Sequence, residues 1–327
     1  MTDKFYEVKR KHHYVWGNYL RRWSVDGVNA YQSTKKGLVA HHGIRGITME
    51  IDLYKITALS EFDVNLIKLA SSKSVPHLHK LHMDYLSDFL LFQGVVESYK
   101  ASGRKHSDAD RAILAMESKL LENLHASHES SVTAVFDSLA NGRIEILYEN
   151  SKFLDFMCFI GHQFARTKTF KDRAFQAFER SSEDHERVAL SMENSWWFIS
   201  YMLGMNLGHD LYINRLDYTH SLLEASGELE FITSDQPVIN VHEQVWQSDY
   251  LEAKFIDYYY PISPRYGYVV TSSSAFTGGL IRVGDEVVAE LNRKISACAA
   301  SAIIGSSPES IRPLLSIINS KNNPIKR

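Results

Sequence analysis

The chain has 327 residues, of which 44% are hydrophobic and 12% aromatic, enough apolar side chain to bury a substantial core and too much for a disordered segment. Its formal charge of −3 excludes a globally basic nucleic-acid binder and confines any polyanion contact to a local patch. Cys158 and Cys298 are the only cysteines and suit buried thiols in a reducing cytosol better than a disulfide framework.

The amino terminus is charged and has no apolar signal core, and the most apolar stretch, 196–207, is too short to span a bilayer. A soluble, cytoplasmic protein without membrane contact is the expectation. Residues 14–16 and 28–31 read as two short strands flanking Asp26-Gly27, a hairpin-turn dipeptide, and a third strand is predicted near 47–51. From 59 to 139 the period becomes helical, with Leu78, Leu81, Tyr85, Phe89 and Phe92 three or four apart, and the charged stretch 100–110 around Gly103 interrupts it. A long helical region spans 153–207, with Gly161 and 181–184 as its predicted breaks. Strand patterns return at 231–233, 255–260 and 266–270, and an alanine-rich helix is predicted over 286–304. Strands at both ends and helices between them predict one α+β domain over 1–318, with an amino-terminal hairpin packed with a later antiparallel sheet and a frayed tail at 319–327.

Four separated segments carry chemistry-bearing side chains. His13, shortly before Arg21, sets an imidazole that exchanges protons near neutral pH beside a guanidinium suited to carboxylate or phosphate. His162, Gln163 and Arg166 share a helical face, and arginine recurs every seventh residue through Arg173, Arg180 and Arg187. In an unbroken helix that spacing drifts only about 20° per heptad and would form a stripe able to track phosphates; the interspersed Asp172, Glu179, Glu183, Asp184 and Glu186 favour an ordinary ion-paired surface. At 231–238 an apolar strand runs into the polar turn Ser234-Asp235-Gln236-Pro237, where Asp235 could orient a histidine, bind a metal, act as a base, or simply cap its own turn.

Weaker signals sit beside these. Arg180 and His185 match the arginine, four residues, histidine spacing of the HEPN class of ribonucleases, a spacing loose enough to arise by chance. His77, His79 and His82 form a metal-like local pattern without a recognised cysteine or acidic partner set. Gly278-Gly279 lacks the lysine and hydroxyl residue of a phosphate loop. No segment fixes a metal, and the cofactor is left unassigned.

In chain order, Lys11-His12-His13-Tyr14-Val15, Tyr19-Leu20-Arg21, Trp23-Ser24, Gln163 with Arg166-Thr167 and Arg173, 232–238, 261–264 and Leu291-Asn292 resemble the bacterial and fungal family labelled domain of unknown function 4238. Two positions depart from it: the family usually has proline where Trp16 and Lys168 stand. The resemblance covers nearly the whole chain and implies a single domain in which His13, Arg21, Gln163, Arg166 and Asp235 converge, with Asn292 joining them or capping a strand. It brings no reaction with it.

The leading functional expectation is a hydrolase acting on a phosphate-containing substrate such as nucleic acid, a toxin-like or phage-defence effector. His13, Arg166 and Asp235 are its candidate catalytic residues, and Arg21, Gln163, Arg173 and Asn292 its candidate substrate-binding residues. The alternative is a non-catalytic module that binds a nucleotide or another anion and regulates a partner. Nucleic acid or nucleotide, a second copy of the chain and a partner protein are the interaction classes considered.

Overall fold

The computed structural model describes residues 6–176, 182–247 and 255–321. The amino-terminal part carries β1 (Lys11–His13), a single-turn helix α1 (Gly17–Leu20), β2 (Asn29–Ser33), β3 (Val39–Gly43) and β4 (Met49–Ile51). The helical middle holds α2 (Glu61–Ser71), α3 (Pro76–Ala101), α4 (Ser107–Ser131), α5 (Thr133–Leu139), α6 (Asn150–Ala165), α7 (Lys168–Gln176) and α8 (Glu183–Ile213). Then come β5 (Thr219–Ala225), β6 (Thr233–Ser234), β7 (Ile239–Asn240), α9 (Glu243–Gln247), β8 (Asp257–Pro261), β9 (Tyr266–Thr271), β10 (Gly279–Val283), α10 (Asp285–Cys298), β11 (Ile303–Gly305) and α11 (Pro308–Ile311). The chain is α+β, with helices between two strand-bearing ends.

The hairpin forms, but later than Asp26-Gly27. The Asp26 carboxylate accepts from the amides of Val28 and Asn29 at 2.8 and 2.6 Å, a local turn that leads the chain out of a helical turn and not between paired strands. Tyr14, Val15 and Trp16 are core residues on the way into α1, not a strand. The hairpin is β2–β3, with Ser33 opposite Val39 and Gly37 at φ 71° in its turn. It joins a four-stranded sheet of order β3-β2-β11-β6, so the amino-terminal strands do pair with the last ones. β1 pairs with β4, His13 opposite Met49. The second large sheet, β10-β5-β9-β8-β7, is antiparallel except for the parallel pair β5–β10.

Gly161 does not break the long helical region. It lies inside α6, where a Cβ would collide with the Gly204 carbonyl oxygen and, at 2.6 Å, with the Gly208 amide. Three glycines thus let the backbones of α6 and α8 touch, and the missing side chains are a packing device. The predicted break at 181–184 coincides with the start of α8, where Ser182 is the N-cap, while the first break falls instead at Arg166–Thr167, between α6 and α7. That corner also abolishes the arginine stripe: Arg166 is buried, and Arg187 stacks at 4.0 Å on Phe62. Arg180, in both the stripe and the HEPN-like spacing, lies outside the described residues, while His185 is exposed in the first turn of α8.

The carboxy-terminal helix is shorter than predicted. α10 stops at Cys298, because Ile303 and Ile304 are drawn into β11 opposite Ser234 and Thr233. The tail begins tied down: Asn319 and Lys321 donate their amides to Ser296 and Ala297 at 3.2 and 3.1 Å, and 322–327 lie outside the described residues. Among the described residues no helix is long and apolar enough to cross a membrane, and both cysteines are free.

Candidate functional site

Alternation along β1 sends neighbouring histidines into different surroundings. His12 is fully buried; its Nε2 donates to the Ser118 carbonyl at 3.0 Å and its Nδ1 accepts from the Tyr54 amide at 3.1 Å, so both nitrogens are used in riveting β1 to α4. His13 is half-buried. Its Nδ1 lies 3.2 Å from the Ile47 carbonyl, which fixes the proton on Nδ1 and leaves Nε2 as an acceptor with no protein partner among the described residues. Burial lowers the His13 pKa, opposed by the Ile47 carbonyl and by Glu129 and Glu122, so the ring is a neutral base at neutral pH.

The carbonyls flanking His13 are held from behind. Tyr54 donates its hydroxyl to the His13 carbonyl at 3.1 Å, and Gln163 Nε2 donates to the Tyr14 carbonyl at 2.8 Å. Gln163 Oε1 accepts in turn from Arg166 at 2.6 Å, and Arg166 Nη1 donates to Glu129 Oε1 at 2.8 Å. Burial opposes the Arg166 charge, but Tyr54, Glu129 and Tyr260 outweigh it and hold the guanidinium firmly protonated. The next residue, Thr167, donates its hydroxyl to Gln236 Oε1, and Gln236 Nε2 donates to the Val238 carbonyl at 2.7 Å. This chain of bonds joins the 13–14, 163–167 and 235–236 segments.

The Asp235 carboxylate is spent on the 300–302 turn, and none of its hydrogen bonds among the described residues goes to His13. One carboxylate oxygen accepts from the Ala300 amide at 2.8 Å, and the other from the Ser301 amide at 2.7 Å, the Ser301 hydroxyl at 2.9 Å and the Ala302 amide at 3.0 Å. Burial raises the Asp235 pKa, while these donors pull it back. The carboxylate shapes the turn that carries α10 into β11, and the group that orients His13 is the Ile47 carbonyl.

The remaining predicted residues disperse. Arg21 is exposed on the helical turn after α1, with no side-chain partner among the described residues. Arg173, on α7, sits at the buried Cys298 thiol; burial raises that thiol's pKa and Arg173 opposes the rise. Asn292, on α10, accepts from the Ile232 amide at 3.0 Å and donates to the Glu230 carbonyl at 2.8 Å, closing the strand edge of 230–232. Of the metal-like histidines, His79 and His82 both contact Ser71 Oγ through Nδ1, at 2.7 and 3.0 Å, and His77 meets His209 at 2.7 Å. Among the described residues no group of three or more His, Cys, Asp or Glu is arranged to hold a metal ion.

Sequence reasoning passed over α4. His125, His128 and Glu129 fall on one face of it by their three- and four-residue spacing, which was the available signal. His128 stacks on His162 at 4.4 Å, His162 on Tyr201 at 4.4 Å, and His125 meets His162 edge-on at 5.7 Å. Burial, reinforced by Arg166, lowers the pKa of all three histidines and keeps them neutral. Arg166 Nε, His125 Nδ1, His162 Nδ1 and the Tyr260 hydroxyl are buried without a hydrogen-bond partner among the described residues.

What the fold and site define is an α+β protein with a half-buried imidazole backed by an internal network of glutamine, arginine and glutamate. Over residues 11–309 the chain matches the profile of the family described as protein of unknown function DUF4238, and it belongs to that family. Comparison with curated proteins and with solved structures gave no match. The two departures from the family's prolines leave the backbone intact. Trp16 has φ −57°, an angle proline takes, and Lys168 is the first residue of α7, where proline is well tolerated.

Proposed function

We propose that the chain is a hydrolase acting on a phosphate-containing substrate such as nucleic acid, with His13 as its proton-transfer group and residues 1–318 working as one unit. The observation that carries this reading is the state of the His13 ring: neutral, fixed in one tautomer by the Ile47 carbonyl, half-buried, and with Nε2 left over. Those are the properties a general base needs. Arg166 acts in this reading as a positioning residue, since Glu129 and Gln163 occupy its terminal nitrogens and Gln163 fixes the backbone beside His13. The test is incubation with total RNA, single-stranded and duplex DNA and nucleotides, with and without divalent metal ions. Cleavage that disappears in a folded His13→Gln variant is the expected result; no turnover of any phosphate ester by the parent protein ends the reading.

A specific observation favours the second reading, a non-catalytic module that binds a nucleotide or another anion. The Asp235 carboxylate and the terminal nitrogens of Arg166 are engaged inside the protein, which suits a fixed recognition frame better than charge stabilisation of a reacting group. Thermal stabilisation by a nucleotide that is recovered unchanged distinguishes this reading from the first.

A further inference from the structure

Among the described residues, Thr48, Asp52 and Asn319 are the residues other than glycine with a positive φ, at 53°, 58° and 63°. Aspartate and asparagine visit left-handed backbone readily, because a short polar side chain can hydrogen-bond locally there. Thr48 is the exception: a β-branched side chain crowds its own backbone in that region. It is also buried, just before β4. A strained threonine where glycine or asparagine would sit at ease points to a use for its side chain.

Two consecutive carbonyls show what the Thr48 backbone does. In an extended strand neighbouring carbonyls point to opposite sides. Here both turn to the His13 segment: the Thr48 carbonyl accepts from the Tyr14 amide at 3.1 Å, and the Ile47 carbonyl lies 3.2 Å from His13 Nδ1. Beyond the other end of β4 the Asp52 amide donates to the Arg10 carbonyl at 2.7 Å, so the register of β4 on β1 is fixed from both sides. The Thr48 side chain acts on the same Ile47 carbonyl. Its Oγ1 lies 2.8 Å from the Ile47 oxygen and 3.5 Å from that of Val15, so the hydroxyl donates to Ile47. A carbonyl oxygen has two lone pairs, and with the hydroxyl on one the other is left for the His13 ring.

We propose that Thr48 is a positioning residue for His13. Its left-handed backbone aims the Ile47 carbonyl at the ring and its hydroxyl holds the carbonyl there, so that the proton stays on Nδ1 and Nε2 keeps its lone pair. The catalytic meaning of this arrangement rests on the hydrolase reading, since a base must present that lone pair. The effect on the ring does not rest on it and is measured without substrate.

Nitrogen NMR of the full chain with isotope-labelled histidine tests this, because ring nitrogen shifts report which nitrogen carries the proton. The His13 signals are those missing from a His13→Gln variant. At neutral pH the parent should show His13 as the Nδ1–H tautomer, whereas free imidazole side chains favour Nε2–H. Thr48→Val keeps the shape and removes the hydroxyl, and the ratio of Nδ1–H to Nε2–H should fall about tenfold, the size one hydrogen bond supports. Thr48→Ser, which keeps the hydroxyl, should restore the parent ratio. Glycine takes a φ of 53° freely, so Thr48→Gly keeps the fold even where valine does not, and it should show the same fall in ratio. An Nε2–H tautomer in the parent overturns the proposal, as does a ratio unchanged in both Thr48→Val and Thr48→Gly. The hydrolase reading fails by a different observation, no phosphate-ester turnover by a parent whose His13 tautomer behaves as stated. Where turnover is found, Thr48→Val should lower kcat about tenfold with KM unchanged.

Discussion

Gln163 and Tyr14 lie 149 positions apart, yet the Gln163 side chain donates at 2.8 Å to the Tyr14 backbone carbonyl and is fully buried doing so. The bond makes the last turn of α6 the floor on which the His13 segment rests. Gln163→Leu leaves the Tyr14 carbonyl and the Arg166 guanidinium each short of a partner. A loss of about 2–4 kcal/mol of stability in urea unfolding is expected, while Gln163→Glu, which keeps the acceptor for Arg166 and loses the donor to Tyr14, should behave differently from it.

Asp235→Ala strips the amides of Ala300, Ser301 and Ala302 of their acceptor at once. These bonds are only part-buried, so water can take over some of the freed amides, and a loss of about 1–3 kcal/mol is expected, measured in the same unfolding assay. Unchanged stability together with loss of an activity would show that the carboxylate serves chemistry and not the turn.

Arg166 and Glu129 form a pair whose guanidinium side chain is only 3% exposed. Arg166→Met should cost about 3–5 kcal/mol, because the Glu129 carboxylate is left without its cation. Adding Glu129→Gln should recover part of that loss, and a double-mutant cycle by thermal unfolding measures the coupling. Strict additivity would show that the two groups do not interact.

Gly204→Ala places a Cβ 2.6 Å from His162 Nδ1 and 3.0 Å from its Cα, and Gly208→Ala places one 2.7 Å from the Cys158 Cα. Both contacts involve backbone that cannot yield, so each variant should lose about 1–3 kcal/mol, seen as a lowered melting temperature. A neutral or stabilising effect at both positions would mean that α6 and α8 pack farther apart.

Acid should destabilise this fold through its buried histidines. Desolvation lowers His82 and His220 to about 4, and burial lowers His125 and His162 in the same direction. A histidine in the unfolded chain titrates near its ordinary value of 6.5. Between the folded and unfolded values the unfolded chain binds more protons, so the contribution of these groups is full above about pH 6.5 and is lost as pH falls towards 4. Urea midpoints measured from pH 7.5 to 4.5 should fall across that window, and His82→Gln should flatten the slope. A midpoint that rises as pH falls contradicts the burial of these rings.

Residue type and period determined much of this protein. The helical pattern through Leu78, Leu81, Tyr85, Phe89 and Phe92, the break at Gly103 and the strand runs near 257–261 and 266–271 were legible because local propensity and burial agree there. The family motifs were legible too, as residue types in order. What the sequence could not carry was the direction of each side chain. Gly161 read as a helix break, since its use lies in the approach of α8 from another part of the chain. Asp235 read as a partner for histidine, since only the folded chain places the 300–302 amides against its carboxylate. His125, His128 and Glu129 carry an ordinary helical spacing, and only the docking of α4 against α6 makes them neighbours of Arg166. Local propensity acts over a few residues, whereas hydrogen bonds spanning 37 to 149 positions are decided by packing.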